Sequence, residues 1–305
     1  MDGMKMRVGG AVAAALLLAG CASLAMGGRA PALKVDREVE AKAVAFEGFT
    51  RRARAIDAGF DGPAEVSRGL QTGAGYSPKE LEAGLIAYAA MAALQEPKFV
   101  EAVRKAGAKP AARKELVRRL TARPDRSMEI ANARLAAGRA NAALYRQGDP
   151  LAASGGKVKK AAYSTQKQAW ALGKSPDPAG RLAQVKRISA AGYSPGSGDV
   201  ASLRQAVGEG GRRGAAASPA VARGVAVAAL TVLGEGQRGR ALLSEPKSGM
   251  CLRVAKLNLY QCLASAGPYY EDIYCLGEHA MIEPGQCVLA AADPARRQQR
   301  ASLGR

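Results

Sequence analysis

Residues 251–287 read CLRVAKLNLYQCLASAGPYYEDIYCLGEHAMIEPGQC, and the spacing of the four cysteines in that stretch decides the reading of the chain's C-terminal end. Gly267-Pro268 is a helix-ending turn. If 250–265 is one helix, Cys251 and Cys262 stand about 16 Å apart along it, beyond the roughly 7 Å between bonded α-carbons. They share a face, because eleven steps of about 100° return to within roughly 20° of the start. Folding the chain back at Gly267-Pro268 sets Cys262 opposite Cys275 and Cys251 opposite Cys287. That register describes an antiparallel helical hairpin over 246–292, with Glu283-Pro284 breaking its second arm.

The rest of the chain carries the same signature. Of 305 residues, 66 are alanine and 36 glycine, and only 5% are aromatic, which argues for closely packed helices and against a Val/Ile/Tyr-rich sheet. Val39, Phe46, Phe49, Ala53 and Ile56 recur at helical spacing between Asp36 and Ala58. Ser77-Pro78-Lys79-Glu80 combines an N-cap, a first-turn proline and the glutamate of a capping box, and Leu81, Leu85, Tyr88 and Ala92 form the stripe that follows. Further helices are expected at 98–106, 110–122, 126–147, 157–172, 178–191, 199–207, 218–233, 250–265 and 269–281, with Gly or Pro at nearly every break. The fold class is therefore all-α, an array of short antiparallel helices over 35–245 followed by the hairpin and a basic disordered tail over 293–305. Ala-Gly-Tyr-Ser-Pro occurs at 74–78 and again at 191–195, a hint of weak repetition that a common way of opening a helix also explains.

The first residues form a secretory signal: Lys5 and Arg7, an uncharged core from Val8 to Leu18, and then Leu18-Ala19-Gly20-Cys21. Those last four residues resemble the lipobox of bacterial lipoproteins. The resemblance covers the leader alone and implies removal of 1–20, lipidation of Cys21 with palmitate-type acyl chains, and a short tether over 21–34. Ala22, in place of aspartate, resembles the outer-membrane sorting pattern. An uncleaved span over 8–28 competes, weakened by its five glycines. The implied setting is the periplasm-facing bacterial envelope, which is oxidising. With Cys21 set aside for lipid, an even number of cysteines remains, and two nested disulfides follow, Cys262-Cys275 and Cys251-Cys287.

Signals of catalysis are thin. His279 is the only histidine; with Cys275 it has metal-ligand spacing, but disulfide formation removes that thiol, and no metal or cofactor is expected. Gly192-Tyr193-Ser194-Pro195-Gly196 matches a nucleophile elbow in letters, yet Pro195 has no N–H for the oxyanion. Glu271 and Asp272 are adjacent, so they do not face each other across a substrate, and solvation or pairing with Arg253 or Lys256 is expected. Gly208 to Gly214, with Arg212 and Arg213, reads as a flexible basic loop. Tyr260, Tyr269, Tyr270 and Tyr274 crowd the hairpin and are the candidate binding face. The formal charge of +19 spreads along the chain, with local excess at 51–54, 113–123, 157–167 and the C-terminal tail. In the cytoplasm it would suggest nucleic acid; in an envelope the acidic partners are anionic lipid, lipopolysaccharide, cell wall or an acidic protein. The expectation is a lipid-anchored, non-enzymatic helical scaffold or binding module. A cell-wall or lipid-modifying enzyme and an apolar-ligand carrier are the alternatives.

Overall fold

Proline sets the starting points of most helices, since its fixed φ suits a first turn whose N–H groups need no partner within the helix. In the computed structural model, which describes residues 33–214 and 216–293, such helices are α2 (Pro63–Gly73), α3 (Pro78–Ala93), α4 (Pro97–Ala106), α5 (Pro110–Ala122), α8 (Pro178–Ala191), α10 (Pro219–Val232) and α11 (Pro246–Ser265). The others are α1 (Arg37–Arg54), α6 (Ala133–Thr165), α7 (Ala169–Leu172), α9 (Asp199–Gly208), α12 (Tyr269–Cys275) and α13 (Glu283–Ala292). Tight 3₁₀ turns run over Pro124–Glu129 and Gly236–Leu242, and a wider π turn over Leu276–Ile282 joins α12 to α13. The described residues contain no strand, only an isolated bridge between Lys174 and Pro268. The fold is all-α. The leader, Cys21 and most of the tether, and the tail from 294, lie outside the described residues.

Helix α3 is the centre, packed against α1, α6, α10 and α11. Its expected stripe is wider than the four residues named above. Leu85 to Ala93 are all buried, because the run is apolar on every side and the neighbouring helices enclose it. The capping box does not form: Ser77 makes no side-chain cap bond, and Glu80 pairs with Lys42 of α1 instead. Four other starts are capped by side chains, by Asp36, Asp177, Ser218 and Glu245.

Two expected breaks are absent. The segments at 126–147 and 157–172 are largely one 33-residue helix, α6, which runs straight through Pro150. Glu283-Pro284 does not end the second arm of the hairpin either, since the π turn just before it carries the backbone into α13. A π turn sits well beside proline, whose ring otherwise strikes the carbonyl four residues earlier.

Both interruptions lie on one contact. Gly148 and Gly155 of α6 meet Gly285 and Gly277, and any side chain there collides with the opposing backbone. A Cβ on Gly155 stands 2.8 Å from the Ile282 nitrogen, and one on Gly285 stands 2.8 Å from the Ala152 nitrogen. The helices touch main chain to main chain, and the apolar burial gained offsets the local cost of Pro150 and the glycines.

The hairpin has the expected register. Cys251 is bonded to Cys287 and Cys262 to Cys275, each pair with its α-carbons 5.7 Å apart. It shares a core with the array of 35–245, as α11 packs on α3 and α13 packs on α6.

Candidate functional site

Two clefts concentrate charge. The first is built by α5 and the turn before it. Gly107 closes α4 and lies directly on Leu233, which leaves no room for a Cβ. Helix α5 then turns Leu116, Val117 and Leu120 toward the core and its arginines outward. Between α5 and the segment at 235–238 lies an open groove of about 600 Å³. Gly107, Ala108, Pro110, Val117 and Ala122 give it an apolar floor, and Arg113, Lys114, Arg118 and Arg238 rim it. Glu235, the one carboxylate lining the groove among the described residues, accepts from Arg238 at 2.9 Å, and Arg118 is engaged by Glu115 at 2.7 Å. Arg113 and Lys114 have no ion-pair partner among the described residues.

The second cleft, about 410 Å³, opens between α2, α8 and α12. Asp272 forms part of its wall and is only 1% exposed, which corrects the expectation of solvation or of pairing with Arg253 or Lys256. Its partner is Arg181 of α8. Arg181 Nη1 donates to Asp272 Oδ2 at 2.7 Å, and Nη2 donates to the Leu263 and Ala266 carbonyls at 2.6 and 3.0 Å. Those carbonyls end α11, so the guanidinium supplies donors that the helix terminus lacks. Asp272 Oδ1 and Arg181 Nε are buried with no hydrogen-bond partner among the described residues. Burial lifts the Asp272 carboxyl to about 6, against the opposing pull of Arg181.

The structure separates the hairpin tyrosines. Tyr270 and Tyr274 share a groove of about 400 Å³ with Tyr163 and the Cys262–Cys275 bridge. Tyr269 belongs to the Asp272 cleft, and Tyr260 lies under Lys186, whose Nζ is 5.7 Å from the ring. His279 is 3.1 Å from Glu283, and its neighbour in spacing, Cys275, is bridged. Ser194 sits exposed on a loop with no strand before it. The loop at 208–214 is not free, because Arg212 binds Glu96 at 2.6 Å, Arg213 lies 3.6 Å over the Tyr145 ring, and Arg146 grips the Glu209 and Gly210 carbonyls. The basic run at 51–54 is likewise engaged internally: Arg51 pairs with Glu47 and Asp199, and Arg52 lies over Tyr193.

Lys256, expected as a partner of Glu271 or Asp272, is instead buried away from both. It falls in the apolar row Leu252, Lys256, Leu259, Leu263, and that spacing is the signal that marks it as buried. It is 3% exposed, and its Nζ donates to the Ala74 carbonyl at 3.0 Å and to Ser189 Oγ at 3.1 Å, and stands 3.4 Å over the Tyr76 ring. No carboxylate among the described residues pairs with it, and desolvation drives its amine well below the ordinary lysine value. The pair resembles a serine–lysine dyad in distance alone, since both residues are enclosed by packing, 3% and 2% exposed. Between the lowered folded value and about 10.4 the unfolded chain binds the extra proton, so this group makes stability rise with pH by about 1 kcal/mol per unit. Lys256→Met removes that slope and stabilises the fold at neutral pH by about 1 kcal/mol or more. The Ala74 carbonyl keeps its bond from Ser189 Oγ at 3.0 Å. Urea denaturation at several pH values checks this, and a destabilised or equally pH-dependent variant contradicts it.

Compared with protein-family models, curated proteins and solved structures, the chain matches none.

Proposed function

We propose that this is a lipid-anchored helical binding module of the bacterial envelope, non-enzymatic, whose partner is an anionic lipid headgroup. The observation that carries the reading is the groove along α5, where an apolar floor is rimmed by four cations. A soluble polyanion needs only the rim. An apolar floor beneath cations suits an anionic amphiphile, whether phospholipid or lipopolysaccharide phosphate, and so favours lipid over cell wall or acidic protein. Arg113 and Lys114 are the recognising residues, since they carry no internal ion pair among the described residues. The anchor is Cys21, proposed from the lipobox resemblance. No helix among the described residues is long and apolar enough to cross a membrane.

An enzymatic reading has one observation in its favour, the raised carboxyl of Asp272 in a cleft. The other carboxylate there, Asp177, is taken up capping α8 through the Gly180 N–H at 2.8 Å. With Asp177 held as a helix cap, the pair of acids that glycoside hydrolysis calls for is not assembled around Asp272.

Sedimentation with vesicles tests the lipid reading, using mature Cys21→Ser protein so that the acyl chain does not dominate. Phosphatidylglycerol vesicles should retain the protein and phosphatidylcholine vesicles should not, with retention fading as salt rises. Arg113→Glu with Lys114→Glu should weaken retention by about tenfold or more, given roughly 1 kcal/mol per basic residue at an anionic surface. Equal binding to both vesicles, or no effect of the double reversal, defeats the reading. Mass spectrometry of protein extracted from envelopes tests the anchor separately: acylation at Cys21 supports it and an intact leader rejects it.

A further inference from the structure

We propose that the cleft between α2, α8 and α12 binds a neutral sugar, recognised by Asp272 and Arg181 and seated beside Tyr269. The volume of about 410 Å³ suits one or two sugar rings. Asp272 and Arg181 line the cleft, and each keeps one polar atom, Oδ1 and Nε respectively, that is buried with no hydrogen-bond partner among the described residues. Leaving such atoms unpaired is costly, and an acceptor and a donor left so are answered by a ligand that both donates and accepts. Vicinal hydroxyls do that.

The guanidinium is held in place before any ligand arrives, by Asp272 Oδ2 at 2.7 Å and the Leu263 and Ala266 carbonyls. Little ordering is then needed on binding. The ionised pair is neutral overall, so an uncharged ligand leaves no buried charge unmatched, whereas a carboxylate ligand would face Asp272 at close range. Gln71, Gln184 and Ser67 also line the cleft and offer amide and hydroxyl groups of the kind that bind sugar hydroxyls. Tyr269 contributes an aromatic surface for the sugar C–H face. This site is separate from the basic groove and does not depend on the lipid reading.

Trp170, the only tryptophan, supplies the readout, since its ring centre lies 6.4 Å from that of Tyr269. The full mature chain is titrated with glucose, galactose and N-acetylglucosamine, and with glucuronate as the charged counterpart, while Trp170 emission is followed. At least one neutral sugar should give a saturable change at millimolar concentration, and glucuronate should bind more weakly than glucose. Asp272→Asn should abolish the change. Because that variant also breaks an ion pair, Gln184→Leu is the second arm: its melting temperature should be unchanged and its affinity about tenfold lower, the loss of one well-made polar contact. No saturable response to any neutral sugar overturns the proposal. So does glucuronate binding as well as glucose, or Gln184→Leu binding like the unaltered protein.

Discussion

Valine in place of Gly277 is expected to lower the stability of the fold by about 3 kcal/mol or more. A Cβ there runs into the Lys159 nitrogen and stands 2.8 Å from the Lys159 α-carbon and 2.9 Å from the Gly155 carbonyl oxygen. All three are main-chain atoms of a helix, so no side-chain rotation makes room, and α6 has to move away from the π turn as a body. Overpacking of an ordinary core costs about 1–3 kcal/mol. Here the shift also opens the neighbouring Gly148–Gly285 contact, so a loss of about 3 kcal/mol or more is expected, out of the roughly 5–15 kcal/mol that holds a typical protein folded. Gly156 is the control. It neighbours Gly155, and its added Cβ meets nothing within 4 Å. Gly156→Ala should stabilise α6 by about 0.5–1 kcal/mol, as alanine does for glycine inside a helix. Thermal melting followed by circular dichroism separates the two. Melting of Gly277→Val at the temperature of the unaltered protein would show that the main chains do not meet there.

Removing the disulfides is the second large effect. The loops they close differ, since Cys262 and Cys275 are 13 positions apart in sequence and Cys251 and Cys287 are 36 apart. Chain-entropy arguments assign about 3 kcal/mol to the shorter loop and about 4 kcal/mol to the longer. Cys251→Ala with Cys287→Ala should therefore lower denaturant stability more than Cys262→Ala with Cys275→Ala. Cys275 and Cys287 are 1% and 3% exposed, so each alanine also leaves a small void in the core shared with α6. Loss of both bridges approaches the whole stability of a typical domain, and the reduced chain should melt early and lose near-ultraviolet dichroism. A reduced protein that melts as the oxidised one does, or peptide maps showing crossed pairs, would contradict this account.

The hairpin was legible because its rules are local. Gly267-Pro268 ends a helix through its own backbone chemistry, and helical rise then dictates which cysteines meet. The helix starts were legible for the same reason, since proline and a preceding carboxylate or hydroxyl act within one turn, as at Asp177-Pro178 and Ser218-Pro219. The candidate sites were less so. The excess of cations at 113–123 was visible along the chain, but its apolar floor needed the segment at 235–238 folded beside α5. Nothing near Asp272 in sequence announces Arg181, which lies 91 residues away.

What the order of residues determined alone is therefore the all-α class, most helix boundaries and the disulfide register, each set by interactions within a few residues or across one turn. The continuity of α6 through Pro150, the burial of Lys256 and the ion pair of Asp272 were decided by the tertiary structure. Glycine and proline weaken a helix by local rules, and the burial that outweighs them at α6 comes from residues more than a hundred positions away.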